Sequence, residues 1–172
     1  ALSAKHHLSA AVMYAQESPY MGSLFHNPQY NNRTIDNPTT QKVFAIDASY
    51  NLRMADVDLS VTAFLHSRRD GVDVQRSYDD LATIFSDVVT TDISTLGYGV
   101  ELASEVRLAR KWRMALALGA GRYLYSDNPL VSHYSDTDNS LVARSESLMD
   151  GRYVGGAPQL NGSATITYLD YS

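Results

Sequence analysis

With 172 residues, 44% of them hydrophobic and 19% charged, and a net charge of -5, the chain has the composition of one ordinary folded unit, not of a disordered tail. Its 14 Lys and Arg against 19 Asp and Glu give no cationic footprint, so no nucleic-acid partner is expected. The lack of cysteine excludes disulfides, thiol nucleophiles and cysteine-bound zinc, and no apolar run approaches the roughly 18 to 20 residues of a membrane-crossing helix.

The segment Ala1-Leu2-Ser3-Ala4-Lys5-His6-His7 has neither an initiator methionine nor the charged-then-apolar layout of a signal peptide, and reads as a cut inside a longer chain. Leu8, Ala10, Val12 and Tyr14 then alternate with small and polar residues, which predicts a first strand. After a long polar stretch, Gln16 to Thr40, Phe44, Ile46, Ala48, Tyr50 and Leu52 take one face of a second strand opposite Asp47, Ser49, Asn51 and Arg53. The short link Met54-Ala55-Asp56 leads into a third, where Val57, Leu59, Val61, Ala63 and Leu65 oppose Asp58, Ser60, Thr62, Phe64 and His66. In-phase alternation across a tight link is the pattern of an antiparallel hairpin.

Ser67 to Ser94 reads as a second long loop. Beyond it Leu96, Tyr98, Val100, Leu102, Val106 and Leu108 face away from Gly97, Gly99, Glu101, Ala103, Glu105 and Arg107. A helix over Leu102 to Leu118 has Ala and Leu in its favour, but the glycines and the sustained alternation argue for strand. The turn Ala109-Arg110-Lys111 joins this strand to another, in which Trp112, Met114, Leu116, Leu118, Ala120 and Leu124 alternate with Arg113, Ala115, Ala117, Gly119, Gly121, Tyr123 and Tyr125. Ser126 to Pro158 is a third long loop, and Leu160, Gly162, Ala164, Ile166 and Tyr168 make a last strand.

Six strands result, joined alternately by short and long connections. Lipid supplies no hydrogen-bond partners, so a membrane-crossing sheet pairs strand to strand, with an apolar outer face and a polar lumen. Short turns at one end and long loops at the other are the outer-membrane form of that solution. The fold expected is therefore all-β: an antiparallel up-and-down transmembrane β-barrel wall of about six strands, with residues 1-172 a single unit. Six strands fall short of a closed membrane barrel, so the unit is expected to be an arc of a larger one. Trp112, beside Arg110 and Lys111 at a strand end, is the candidate interfacial aromatic.

Four stretches resemble a known family. Tyr30-Asn31-Asn32-Arg33-Thr34-Ile35-Asp36-Asn37-Pro38, followed by Lys42 to Tyr50, is similar to an Asn-Pro loop leading into a barrel strand that ends in Tyr. Val61-Thr62-Ala63-Phe64 with Ser77-Tyr78-Asp79-Asp80, then Gly97-Tyr98-Gly99-Val100-Glu101, and finally Tyr153-Val154-Gly155-Gly156-Ala157-Pro158-Gln159 follow in the same order. Together they resemble the C-terminal part of the barrel of TonB-dependent receptors, with Thr40-Gln41 where that family often has Pro-Glu. The resemblance implies a Gram-negative outer-membrane location and uptake of a scarce nutrient. The partners it implies are outer-membrane lipid, the rest of the barrel and its plug, a small nutrient ligand, and TonB through an N-terminal part that this sequence does not include. A small stand-alone outer-membrane barrel and a soluble β-barrel holding an apolar ligand are the alternatives.

Asp47, Asp58, Glu101 and Glu105 share the polar face and are expected to line a water-filled lumen rather than to act as an acid and base pair. Asp47, Glu101 and Glu105 are the candidate lumen residues. His6 and His7 are neighbours and so point to opposite faces, which rules out shared metal coordination. His26, His66 and His133 read as solvated residues of loops and strand ends. There is no Gly-x-Ser-x-Gly elbow and no phosphate loop, so no enzyme activity, catalytic residue, cofactor or metal is expected.

Overall fold

The computed structural model describes residues 4–27, 32–79 and 84–170. Tyr30, Asn31 and Asp80 of the resembling stretches lie outside the described residues, as do positions 1–3 and 171–172. The chain is all-β and antiparallel: β1 (His6–Glu17), β2 (Gln41–Arg53), β3 (Val57–Asp79), β4 (Ile84–Ala109), β5 (Trp112–Tyr125), β6 (Leu130–Ser135), β7 (Leu141–Glu146) and β8 (Leu160–Tyr168), with a 3-10 turn at Met21–Leu24. The sheet runs β1-β2-β3-β4-β5-β8, and β6 and β7 branch from β4. Both anticipated hairpins form, with Ile46 opposite Leu65 and Leu102 opposite Leu118.

The count of six describes the main path, but the whole sheet has eight strands. Ser126 to Pro158 is not a plain loop, because it contains β6 and β7. Nor is Ser67 to Ser94: β3 and β4 continue through most of it as a paired extension. That upper half bends where it leaves the main sheet. Asp70 and Asp92 both have φ near 60°, and the β3–β4 register shifts on either side of Gly71. Asp is among the side chains best suited to that left-handed backbone, and the Lys42 ammonium holds Asp70 at 2.7 Å.

The registers put Phe44, Ile46, Leu59, Val61, Val100, Leu102, Met114 and Leu116 on one face, with Asp47, Thr62, Glu101 and Ala115 on the other. In a water-soluble sheet the apolar face would be covered. Here it is open: Val12 is 66% exposed, Leu118 46% and Ile166 63%. The buried apolar cluster of the described residues is only Ile35, Val89 and Tyr134, and it sits at the long-loop end. On β5, Arg122, the charged residue on this face, lies ten positions after Trp112. At about 3.3 Å per residue, and at the tilt of about 40° usual in membrane barrels, that length would correspond to an apolar band of about 25 Å.

On the opposite face, Phe64 lies directly across from Gly99, and an added Cβ at Gly99 would meet the Ala120 carbonyl oxygen, the Gly121 Cα and the Phe64 ring. The missing side chain is what lets that ring lie flat on the sheet, the way an aromatic covers a bare glycine in a curved wall.

Candidate functional site

The polar face is concave. A cavity of about 590 Å³ is lined across five strands, from Asn51 and Arg53 through Ser60, Glu105 and Ala117 to Ser163 and Thr165, and only an inward curve brings such residues together. Small side chains, Ala103, Ala115 and Ala117, line its floor, and in the adjoining hollow Asn161 covers Gly119. The surface is held by short polar contacts, Ser49 to Thr62 at 2.9 Å and the Arg113 guanidinium to Glu105 at 3.3 Å.

Asp47, Glu101 and Glu105 are all exposed on this concave face. Asp47 is opposite Phe64, whereas Glu101 is opposite Thr62 and Gly119. Two strand spacings, about 10 Å, therefore separate Asp47 from Glu101 across β3, too far for one proton to be shared. Glu105 lies directly opposite Asp58 and is engaged by Arg113, so the two carboxylates brought side by side on this face stand exposed to water with a guanidinium beside them. Trp112 stands on the apolar face at the short-turn end, where its ring meets Tyr168 at 5.1 Å and the Lys111 ammonium lies 5.6 Å over the Tyr168 ring. Lys111 also binds Asp170 at 2.8 Å. Aromatic rings beside a flexible cation suit a headgroup layer.

The long-loop end carries a clasp that the sequence did not reveal. The upper halves of β3 and β4 form a sheet with β6 and β7, and the segment between β1 and β2 folds against it: Ile35 donates its N–H to the Leu24 carbonyl, and His26 to that of Arg33. Tyr134 donates its hydroxyl to Asp36 at 3.0 Å, and Arg144 reaches the same carboxylate at 3.3 Å. The Tyr134 hydrogen bond, with Arg144 behind it, holds the Asp36 carboxyl below its ordinary range. Asn27 and Arg76 converge on Asp136.

His26 overturns the expectation of a solvated histidine. It is 2% exposed and lies edge-on to Tyr134 at 4.1 Å, with no hydrogen-bond partner on either ring nitrogen among the described residues. His66 and His133 likewise sit within strands β3 and β6, not at loop or strand ends. Burial, helped by the Arg33 guanidinium, pushes His26 below its usual value and outweighs the opposing pull of Asp36. Asp87, fully buried beneath the clasp, is pushed up by burial and by Asp136, against Arg76. Among the described residues no group of three His, Asp or Glu side chains could hold a metal ion.

A depressed histidine stabilises the clasp above about pH 6.5 and loses that contribution as the pH falls through its folded value. Amide exchange at His26 and Ile35, corrected for intrinsic rates, is therefore expected to accelerate on acidification below pH 6.5, and His26→Phe to flatten the response. An unchanged slope in that variant would assign the effect to other groups.

Comparison with known proteins finds no matching family model, no matching curated protein and no matching solved structure.

Proposed function

We propose that this chain forms part of the wall of a Gram-negative outer-membrane β-barrel that works in TonB-dependent uptake of a scarce nutrient. One observation carries the membrane half of the reading. The apolar face is free of charge over about 25 Å and uncovered by any described part of the protein. It is bounded by Trp112, Tyr168 and Lys111 at one end and by Lys42, Arg69 and Arg122 at the other. A soluble barrel would need these same side chains packed inward. A closed small barrel would need β1 to pair with β8, yet these are the two ends of the sheet path. An arc whose edges continue into further strands satisfies both edges. The uptake half is supported by the ordered resemblance of four stretches to TonB-dependent receptors. In that reading plug and cargo occupy the concave side, and TonB engages the plug-bearing part.

Trp112 is the single tryptophan, which makes it a depth gauge. In bilayers its emission is expected to be quenched more by lipids brominated near the headgroup than by lipids brominated near the chain ends. Absence of quenching by either would remove the membrane reading. The uptake half predicts that deleting this protein and deleting TonB abolish growth on the same limiting nutrient. Growth of the TonB deletion on every nutrient that the protein's own deletion forbids would remove it.

A further inference from the structure

The concave face carries one more feature, near the long-loop end. A cavity of about 390 Å³ is bordered by Met13, His66, Arg68 and Tyr123, and the strap leading into β8 adds Val154 and Ala157. The strap is fixed to the edge of β5 by the Val154 N–H on the Tyr123 carbonyl, and Gly156, with φ 79°, turns it toward the sheet. Its volume lies in the range of about 300 to 1,000 Å³ typical of small-molecule sites.

Two properties define what it would hold. First, two rings of a three-ring slab border it, His66 and Tyr123, 5.7 Å apart, and the third, Phe64, stacks beside His66 at 5.8 Å and 10°. Gly97 makes the slab possible, because a Cβ there would run into the His66 ring and lie 2.9 Å from Tyr123. Second, the lining contains no carboxylate, although the chain as a whole carries a net charge of -5. Arg68 forms no ion pair among the described residues. It stands between this cavity and a second one of about 370 Å³, whose Glu17 and Asp70 make that outer space unfavourable to an anion.

We propose that the inner cavity binds a small planar ring bearing a carboxylate, with the ring against Tyr123 and His66 and the carboxylate on the Arg68 guanidinium. Ring stacking supplies sequence-tolerant apolar contact, and the planar fork of Arg matches a carboxylate with two parallel hydrogen bonds. The assignment rests on the uptake reading only for its meaning as a cargo site.

The test uses the intact protein in lipid nanodiscs, labelled with methyl-¹³C methionine. Of the five methionines, Met13 alone borders the cavity. Sodium benzoate is expected to shift the Met13 methyl saturably and to leave Met21, Met54, Met114 and Met149 in place. Benzamide, the neutral isostere, is expected to bind at least about tenfold more weakly, the loss that follows when a charge-assisted hydrogen bond goes. Arg68→Gln is expected to bring benzoate down to the benzamide level, and Gly97→Ala to weaken both. A motionless Met13 methyl, equal drift of all five methyls, or equal binding of benzoate and benzamide by the unaltered protein overturns the proposal. The wall reading fails on a separate observable in the same samples, the quenching of Trp112 by brominated lipid.

Discussion

Val61→Arg is expected to stop the chain from folding into bilayers, whereas Thr62→Arg, one residue along the same strand, is expected to leave folding nearly intact. Val61 lies on the apolar face between Tyr50 and Leu102, and Thr62 lies on the polar face between Ser49 and Glu101. An arginine among lipid tails near the midplane costs about 2 to 4 kcal/mol, roughly thirtyfold to nearly a thousandfold in the folding equilibrium. At position 62 the guanidinium meets water and Glu101, and the loss is about 1 kcal/mol for the hydrogen bond to Ser49. Urea titration of the folded fraction in liposomes measures the difference. Equal midpoints for the two variants would mean that the assigned faces are wrong.

Gly99→Val is expected to destabilise by about 3 kcal/mol or more, beyond the usual cost of an overpacked position. The added Cβ would meet two backbone groups, the Ala120 carbonyl and the Gly121 Cα at 2.7 Å, which no change of rotamer relieves. The Phe64 ring, 2.9 Å away, would have to leave the sheet as well. Gly155→Val is the control, since nothing lies within 4 Å of a Cβ there, and it is expected to change stability by less than about 0.5 kcal/mol. A similar denaturation midpoint for both variants would show that the close approach of β4 to β5 at Gly99 is not required.

The contrast between what the sequence made plain and what it hid follows from the solvent on each side of a strand. β5 and β8 were legible to the residue, because apolar residues hold one face of each and small or polar residues the other, which is strict alternation. The upper half of β3 carries Arg68, Arg69, Asp73, Gln75 and Arg76 in quick succession, and it pairs with the upper half of β4. The face the two bury against the clasp takes Asp87 and Ser94 beside Val89, so its alternation is interrupted by polar residues and a paired strand looks like a polar loop. β6 and β7 have six residues each, too few for a period to stand out. The common face of Asp47, Glu101 and Glu105 could be read from alternation, since in each strand they lie opposite the apolar residues. The burial of His26 could not, because it depends on the fold-back of a connecting segment onto Tyr134, more than a hundred positions later in the chain. The ring slab of Phe64, His66 and Tyr123 was hidden for the same reason: it exists only once Gly97 and Gly99 are paired across from β3 and β5.

The bend at Asp70 and Asp92 gives the molecule a mechanical character. Both strands of the longest hairpin turn at the same height, and Lys42 anchors the turn from β2. A sideways push on the paired strands above the bend has two ways to be absorbed: the strands could slide past one another, or the hairpin could flex at its elbow. Sliding by a single residue would exchange the faces of every side chain below the elbow, from Leu96 to Val106, and is blocked. The elbow has already left the regular ladder and has little pairing to lose. The strands above the bend, tied to β6 and to the cluster of Val89 and Tyr134, therefore move as one block on that elbow while the sheet beneath keeps its register.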